Sequence, residues 1–535
     1  MKKFLCLVLS TAMVLFVAGC KDGKNSPENQ VISYNIGNNP NTLDPQIVDD
    51  YSGKIVLMNI FEGLVRYDQD GKIVGGAAQN WEVNNDYSEY VFYLRDGVCW
   101  ANSEKTPLKA SDFVYGLQRA VLPETGSPYA KLFYCIKNAK NINTGNGDIE
   151  SLGVKAVDDK TIKITLAYSN KDFLDVLTCP AAMPCNREFF NSTGGQYGLK
   201  TSMVMSNGPF KLKGKYGWDP ERAITLARNP DYVGYKVPTP AGVSLLIGNK
   251  SENVAKLISN GNLDAGIIST EDYQIAQKDN MNLTSFEDTT WSMCFNLSDQ
   301  TMVNESIRKA FVESLDRNYV LSSLPENTKI ANDIIMNSVM FGGSSYRDHV
   351  GKGMFLKQNA DARNKLSQGL KQLNKKSLGV VTIVCQDDPN VKKIVNNMLE
   401  MWNKNLGYYI NMKPLEKSEL ISTINRGEYQ IALAPISAHS SEPFDFLTMF
   451  VSNSKYNIVN MNDSHYDKIL SSADEKSSSE AIKIYESAER YLNDKAIIYP
   501  MYYDSRYFAS AKNVTGVIFY PYNKGIDFIN ATKKK

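Results

Sequence analysis

Side chains that carry covalent chemistry are few in this sequence and badly spaced for it. Three histidines occur in 535 residues, His349, His439 and His465, and they lie far apart. A Gly-x-Ser-x-Gly motif, which would set a serine on a nucleophile elbow, is missing, and so is His-Glu-x-x-His, which would set two zinc ligands on one helix face. Glycine-rich phosphate loops are missing too. Cys99, Cys135, Cys179, Cys185, Cys294 and Cys385 are scattered without Cys-x-x-Cys spacing for a metal. Cys179 and Cys185 are close enough to pair, but buried free thiols are the expected state. Carboxylates are too numerous for the sequence to exclude a catalytic pair. What the inventory supports is recognition: 30 tyrosines offer apolar area with a polar handle. No catalytic residue, metal or cofactor is expected, and the protein is expected not to be an enzyme.

One further cysteine has a specific context. Lys2 and Lys3 precede an apolar run from Phe4 to Val17, shorter than the roughly 20 residues of a membrane span. That run has the flanks of a secretory signal and stops at Val17-Ala18-Gly19-Cys20. Small residues before a cysteine resemble the bacterial lipobox, in which Cys20 becomes the new, lipid-bearing N-terminus. The alternative is an ordinary signal peptide with a chance cysteine. Residues 1–19 are thus expected to be a lipoprotein signal peptide and 20–28 a lipidated cysteine with a polar tether. The folded body would stand on the extracytoplasmic face of the cell membrane without crossing it. A formal charge of +1 argues against a nucleic-acid surface. With 43% hydrophobic and 22% charged residues the composition is that of a globular protein, and the length calls for two or three lobes.

The elements that must position a binding surface show in the hydrophobic periodicity. Tyr90, Phe92 and Leu94 alternate as on a strand, as do Ile162, Ile164 and Leu166 after an Asp158-Asp159 turn. Between them, Ser111 is expected to cap a helix carrying Phe113, Leu117 and Ala120, with Pro123 past its end. Later the chain reads as α/β. A strand over 378–385 leads to an Asp388-Pro389 helix start. A stripe of Val391, Ile394, Val395, Met398, Leu399 and Trp402 ends at Gly407, and a strand follows over 408–412. That strand–helix–strand unit predicts a parallel pair. A helix over 416–426, a strand over 429–434, a helix opened by Ser479 and a strand over 496–503 complete this half.

Several segments together resemble one family. They are Leu43-Asp44-Pro45, Phe61-Glu62-Gly63-Leu64, Trp81, the stretch 90–100, Ala110-Ser-Asp112-Phe-Val-Tyr115 with Arg119, Gly153 to Asp159, and Asn207-Gly-Pro-Phe-Lys-Leu212. Arg228-Asn-Pro-Asp-Tyr232, Gly261-Asn-Leu-Asp264, Ile307 to Phe311 with Leu315-Asp-Arg317, and Trp402 to Gly407 continue the series. Each is weak alone; their order over nearly the whole mature chain is specific. The sequence is similar to the dipeptide/oligopeptide/nickel class of ABC-transporter solute-binding proteins, nearest the oligopeptide-binding lipoproteins. The resemblance implies an α/β, two-lobed periplasmic-binding-protein-like fold with mixed sheets, a hinge between the lobes and an extra inserted domain. Lobe I would hold residues 29–62, 200–288 and 507–535, the inserted domain 63–199, and lobe II 289–506. It also implies a peptide ligand, an oligopeptide foremost, and delivery to ABC permease subunits whose cytoplasmic ATPases supply the energy. A monomer is expected.

By the same resemblance, one ligand-lining segment runs from Ala432 to His439 and includes Ser437. The family commonly carries an aspartate at the position of His439, pairing with the ligand's α-amine. A neutral histidine cannot do so. The arginine and tryptophan of some oligopeptide binders correspond to Leu433 and Ile436, and Pro435 lacks an N–H. Asp445, six residues on, is a substitute acid. Asp49 falls where the oligopeptide branch has another acidic ligand-site residue, and Tyr51 and Tyr129 are the other expected cleft residues. A dedicated non-standard ligand (a nickel chelate, a modified peptide or a signalling peptide) remains an alternative, as does an adhesin or sensor role.

Overall fold

Alternating burial along Val31–Asn35 (β1) marks a strand with one face on a core. The computed structural model describes residues 29–248, 253–269, 272–324, 328–341, 344–437, 442–473, 476–520 and 525–534. After β1 comes α1 (Tyr51–Ile60), whose cap Asp50 accepts the Gly53 N–H at 2.8 Å. A separate antiparallel sheet then forms from β2 (Ala78–Val83), β3 (Glu89–Leu94), β4 (Val154–Ala156) and β5 (Thr161–Thr165), in spatial order β2-β3-β5-β4. The helix α2 (Ala110–Val121) packs on β4 and β5. It starts ahead of Ser111: Asp112 Oδ2 accepts the Lys109 N–H at 3.0 Å and closes the first turn there. Phe113, Leu117 and Ala120 are buried, as their spacing predicts.

The main sheet begins with β6 (Phe210–Leu212), β7 (Ala223–Arg228), β8 (Gly242–Leu246) and β9 (Ala265–Ile268), followed by the long β10 (Asn282–Phe295). The second half supplies β11 (Thr382–Gln386), α3 (Pro389–Leu406), β12 (Asn411–Leu415), α4 (Lys417–Asn425), β13 (Ile431–Ile436), α5 (Pro443–Thr448), α6 (Ser478–Asp494) and the long β14 (Ile498–Ser510). Their order is β12-β11-β13-β10-β14-β9-β1-β8-β7-β6, so two α/β lobes share one continuous sheet. The predicted strand–helix–strand unit is β11-α3-β12, and its strands are parallel. Asp388 Oδ1 caps α3 by accepting from Asn390 N at 2.8 Å and Val391 N at 3.0 Å, and Gly407 ends it at φ +79°.

Element ends differ from the sequence reading where long-range pairing decides them. β11 starts at Thr382 because Gly379 turns the chain at φ +71°. β12 starts at Asn411, where pairing with β11 begins. α6 is opened by Ser477, two residues before Ser479, through a capping box with Glu480. β14 continues past Tyr503 to Ser510 because its second half finds partners in the other lobe.

Both faces of the β11-β13-β10 region, in which β11 and β13 run parallel and β13 and β10 antiparallel, are covered. Ile383, Leu433, Met293 and Phe295 face one core; Val384, Ala432, Ala434, Ile436 and Cys294 face another. The first lobe and the β2–β5 sheet share a core that runs from Ile32 and Tyr34 through Phe92, Phe113 and Ile162 to Leu245 and Phe528. Cys99, Cys135, Cys179, Cys185, Cys294 and Cys385 are all free thiols. Among the described residues no helix is long and apolar enough to cross a membrane.

Candidate functional site

The site follows from where the long strands change lobes. Asn282–Glu287 of β10 pairs with Ser505–Ser510 of β14, and the last four residues of β14 also pair with β9. Thr290–Cys294 pairs with the first half of β14 on one side and with β13 on the other. Between these halves the register shifts, leaving Asp288 as an extra, unpaired residue opposite the Asp504–Arg506 stretch. Such a bulge bends the strand. The last residue of β13, Ile436, pairs with Thr290, and the last of β9, Ile268, pairs with Tyr507. The parallel strands of both lobes therefore direct their carboxyl ends at the crossing. In open α/β sheets that edge is where ligands sit.

The crossing is polar. Arg506 Nη1 donates to Asp288 Oδ2 at 2.8 Å, and Thr289 Oγ1 donates to Asp288 Oδ1 at 3.0 Å. The Thr289 and Ser437 hydroxyls are 2.7 Å apart, tying β10 to the end of β13. Asp504 stands opposite Thr289. Burial, and then the Asp288 charge, hold its carboxyl above the usual range, while Arg506 and Lys417 at the start of α4 pull the other way. From the first turn of α1, Tyr51 faces Arg506 and Asp288; burial pushes its hydroxyl up to about 12.

A second cluster flanks the crossing. Lys54 lies one turn into α1 and is 6% exposed. Burial lowers its pKa, opposed by Cys179, Asp445, Asp49 and Asp50. Its Nζ sits 5.6 Å from the centre of the Tyr129 ring. The Tyr129 hydroxyl is buried and has no hydrogen-bond partner among the described residues. Burial, with the charges of Cys179, Asp445, Asp49 and Asp50, raises its pKa well above the ordinary value, so it stays a protonated donor.

Comparison with known proteins bears on this arrangement. The family model for bacterial extracellular solute-binding proteins, family 5 (middle), matches residues 72–457. The chain belongs to that family. The oligopeptide-binding protein OppA of Bacillus subtilis is 27% identical over 97% of both chains. The probable deoxycholate-binding periplasmic protein YgiS of Escherichia coli is 26% identical over 92% of each. The solved murein tripeptide binding protein MppA of Escherichia coli superposes with a TM-score of 0.71 at 26% identity, covering 95% of this chain and 99% of the other.

Within this family 5 fold, the expected cleft residues fall into three groups. Asp49, Tyr129 and Asp445 come together around Lys54, with Asp445 arriving on the first turn of α5. Tyr51 and Ser437 stand at the crossing. Leu433 and Ile436 are fully buried and point into opposite cores, so they face the sheet's covered sides rather than the crevice. His439 and Cys20 lie outside the described residues. The sequence reading passed over Lys54, Asp288, Asp504 and Arg506. A signal for them existed: Lys54 adjoins the apolar run Ile55–Met58, and Asp504 and Arg506 are the two charged residues of a largely apolar strand.

Proposed function

We propose that this family 5 protein is a lipid-anchored extracytoplasmic binding protein that captures peptides, oligopeptides foremost, between its lobes and delivers them to an ABC importer permease. The observation that carries this reading is the two-strand crossing, where the carboxyl ends of both lobes converge on Asp288, Asp504, Arg506 and Ser437. An extended peptide satisfies its backbone groups against such strand ends while its side chains go to roomy pockets. Asp49, Tyr51, Tyr129, Ser437 and Asp445 line the crevice in this reading, His439 is a further ligand residue, and Leu433 and Ile436 contribute backbone. The split between lobe I (29–62, 200–288, 507–535) and lobe II (289–506) is supported by the lobe changes near Asp288 and Arg506, and the inserted domain (63–199) by its separate β2–β5 sheet. Ligand closes the lobes about these strands, and the closed form is what the permease and its ATPases engage. Cys20 and the 20–28 tether hold the monomer at the membrane.

Native mass spectrometry of the chain from Lys21 onward, followed by identification of what it carries, tests the reading. Short peptides of mixed sequence are the expected cargo, and added peptides should compact the scattering curve. Absence of peptide binding in that preparation and in titration overturns it. A single defined molecule would favour a dedicated ligand, a reading that the histidine at position 439 also supports.

A further inference from the structure

We infer that Glu287 is a positioning residue of the hinge: Lys329 and Ser338 of lobe II grip it across the bulge, hold the lobes near one another, and so tune ligand affinity without touching the ligand. This inference rests on the lobe-closure reading and adds to it the element that sets the angle. Glu287 is the last residue of β10 paired on the lobe I side of Asp288. Its side chain is 7% exposed, and Lys329 Nζ bonds its Oε1. Its carbonyl oxygen accepts from Ser338 Oγ at 2.6 Å. The lysine is open to solvent, but the carboxylate it answers is buried, and a buried charge without its partner is costly.

The two gripping residues travel with lobe II. Lys329 and Ile330 pair with Tyr503 and Tyr502 in the lobe II half of β14. Between Lys329 and Ser338, Ile334, Ile335 and Met336 are buried in the core that also holds Val384 and Ala432. Arg347 holds Asp333, and Ile335 N donates to Glu489 at 3.0 Å. Glu287 travels with lobe I, because Asn282–Glu287 is laddered to the half of β14 that joins β9. The bulge lies between the two. Rotation about it carries Glu287 past Ser338, and a displacement of about 1 Å takes a hydroxyl bond of this length out of range. These bonds exist with the lobes approached: Asp445 of lobe II stands within electrostatic reach of Lys54, and Lys455 within reach of Asp49. They therefore favour that setting over more open ones, and affinity rises with the population of the setting that binds.

Small-angle scattering of the ligand-free chain from Lys21 onward tests this without any peptide. Lys329→Met combined with Ser338→Ala should raise the radius of gyration above that of the unmodified protein. Excess of a mixed tetrapeptide and pentapeptide library should bring it back. Retained peptides should leave the double variant about tenfold faster, and Ser338→Ala alone severalfold faster. Thr290→Val supplies the contrast. It removes a bond of the same kind, from Thr290 Oγ1 to the Ile334 carbonyl at 2.8 Å, but one made within lobe II. It should lower the unfolding midpoint without expanding the protein. An unchanged radius of gyration in the double variant, with circular dichroism unchanged, overturns the inference and leaves the peptide reading standing. Equal expansion in Thr290→Val overturns it too, since lobe II would then have loosened as a whole. If the unmodified protein binds no peptide, the peptide reading falls, and the ligand-free expansion still decides the hinge. If the double variant does not fold, Ser338→Ala, which removes one oxygen, decides the matter alone.

Discussion

Arg347 and Arg506 are each faced by two acids, and the two settings could hardly differ more. Arg347 is 1% exposed and bonds Glu489 directly, with Asp333 at 3.3 Å and the Gly351 carbonyl at 3.0 Å. Its acids are satisfied by the backbone as well: Ile335 N donates to Glu489 at 3.0 Å, and Gly353 N and Met354 N donate to Asp333 at 3.2 and 3.1 Å. Arg506 is 45% exposed, holds Asp288 alone at 2.8 Å, and leaves Asp504 as a half-buried acid beside it. The same residue types therefore do two jobs. Inside lobe II the charges are answered by the protein itself and fix the packing; at the crossing Arg506 pairs with Asp288 and not with Asp504, and in the proposed reading the ligand meets that less occupied set.

The largest effect should come from cutting the closed set. Arg347→Met leaves Glu489 buried without its cation and should cost about 3–5 kcal/mol in urea unfolding, with ligand affinity of the folded fraction unchanged. A loss below about 1 kcal/mol would erase the distinction drawn here. Next, Asp504→Asn should weaken peptide binding about tenfold, or about 1.4 kcal/mol by titration calorimetry, while the unfolding midpoint holds or rises. Reduced stability with intact affinity would instead group Asp504 with the packing residues. Arg506→Gln should cost no more than about 1 kcal/mol, and less still at high salt, because the pair it breaks is partly exposed.

The smallest effect concerns pH. Asp504 ionises at higher pH in the folded protein than in the unfolded chain, so the folded state keeps its proton longer. Its contribution to stability therefore falls as pH rises from the ordinary carboxylate range through the raised folded value. Melting curves over that interval should show the decline, and Asp504→Asn should flatten it.

Local rules written in the sequence were readable, and long-range ones were not. The Asp388-Pro389 start, the Val391 to Trp402 stripe and the Gly407 stop place α3 because a helix carries its own hydrogen bonds. The Ser477–Glu480 capping box was equally legible, two residues before the serine chosen. By contrast, nothing near Tyr503 says that the strand continues, since the partners of Tyr507 to Ser510 are residues of β9 some 240 positions away. The candidate site divides in the same way. Tyr51 and Ser437, expected in the cleft, stand at the crossing in this fold, but the convergence of Asp49, Tyr129 and Asp445 on Lys54 depends on three segments meeting in space.

The two neighbouring strands that pass between the lobes also set how those lobes can travel. A single connecting segment would act as a swivel, free to spin, sway and nod. Strands bonded side by side lose the spin and the sway, because either would shear the ladder between them, and keep only a nod about one axis through the bulge at Asp288. A proteolytic nick in either strand would turn that door hinge back into a swivel, and the two walls would no longer meet in register.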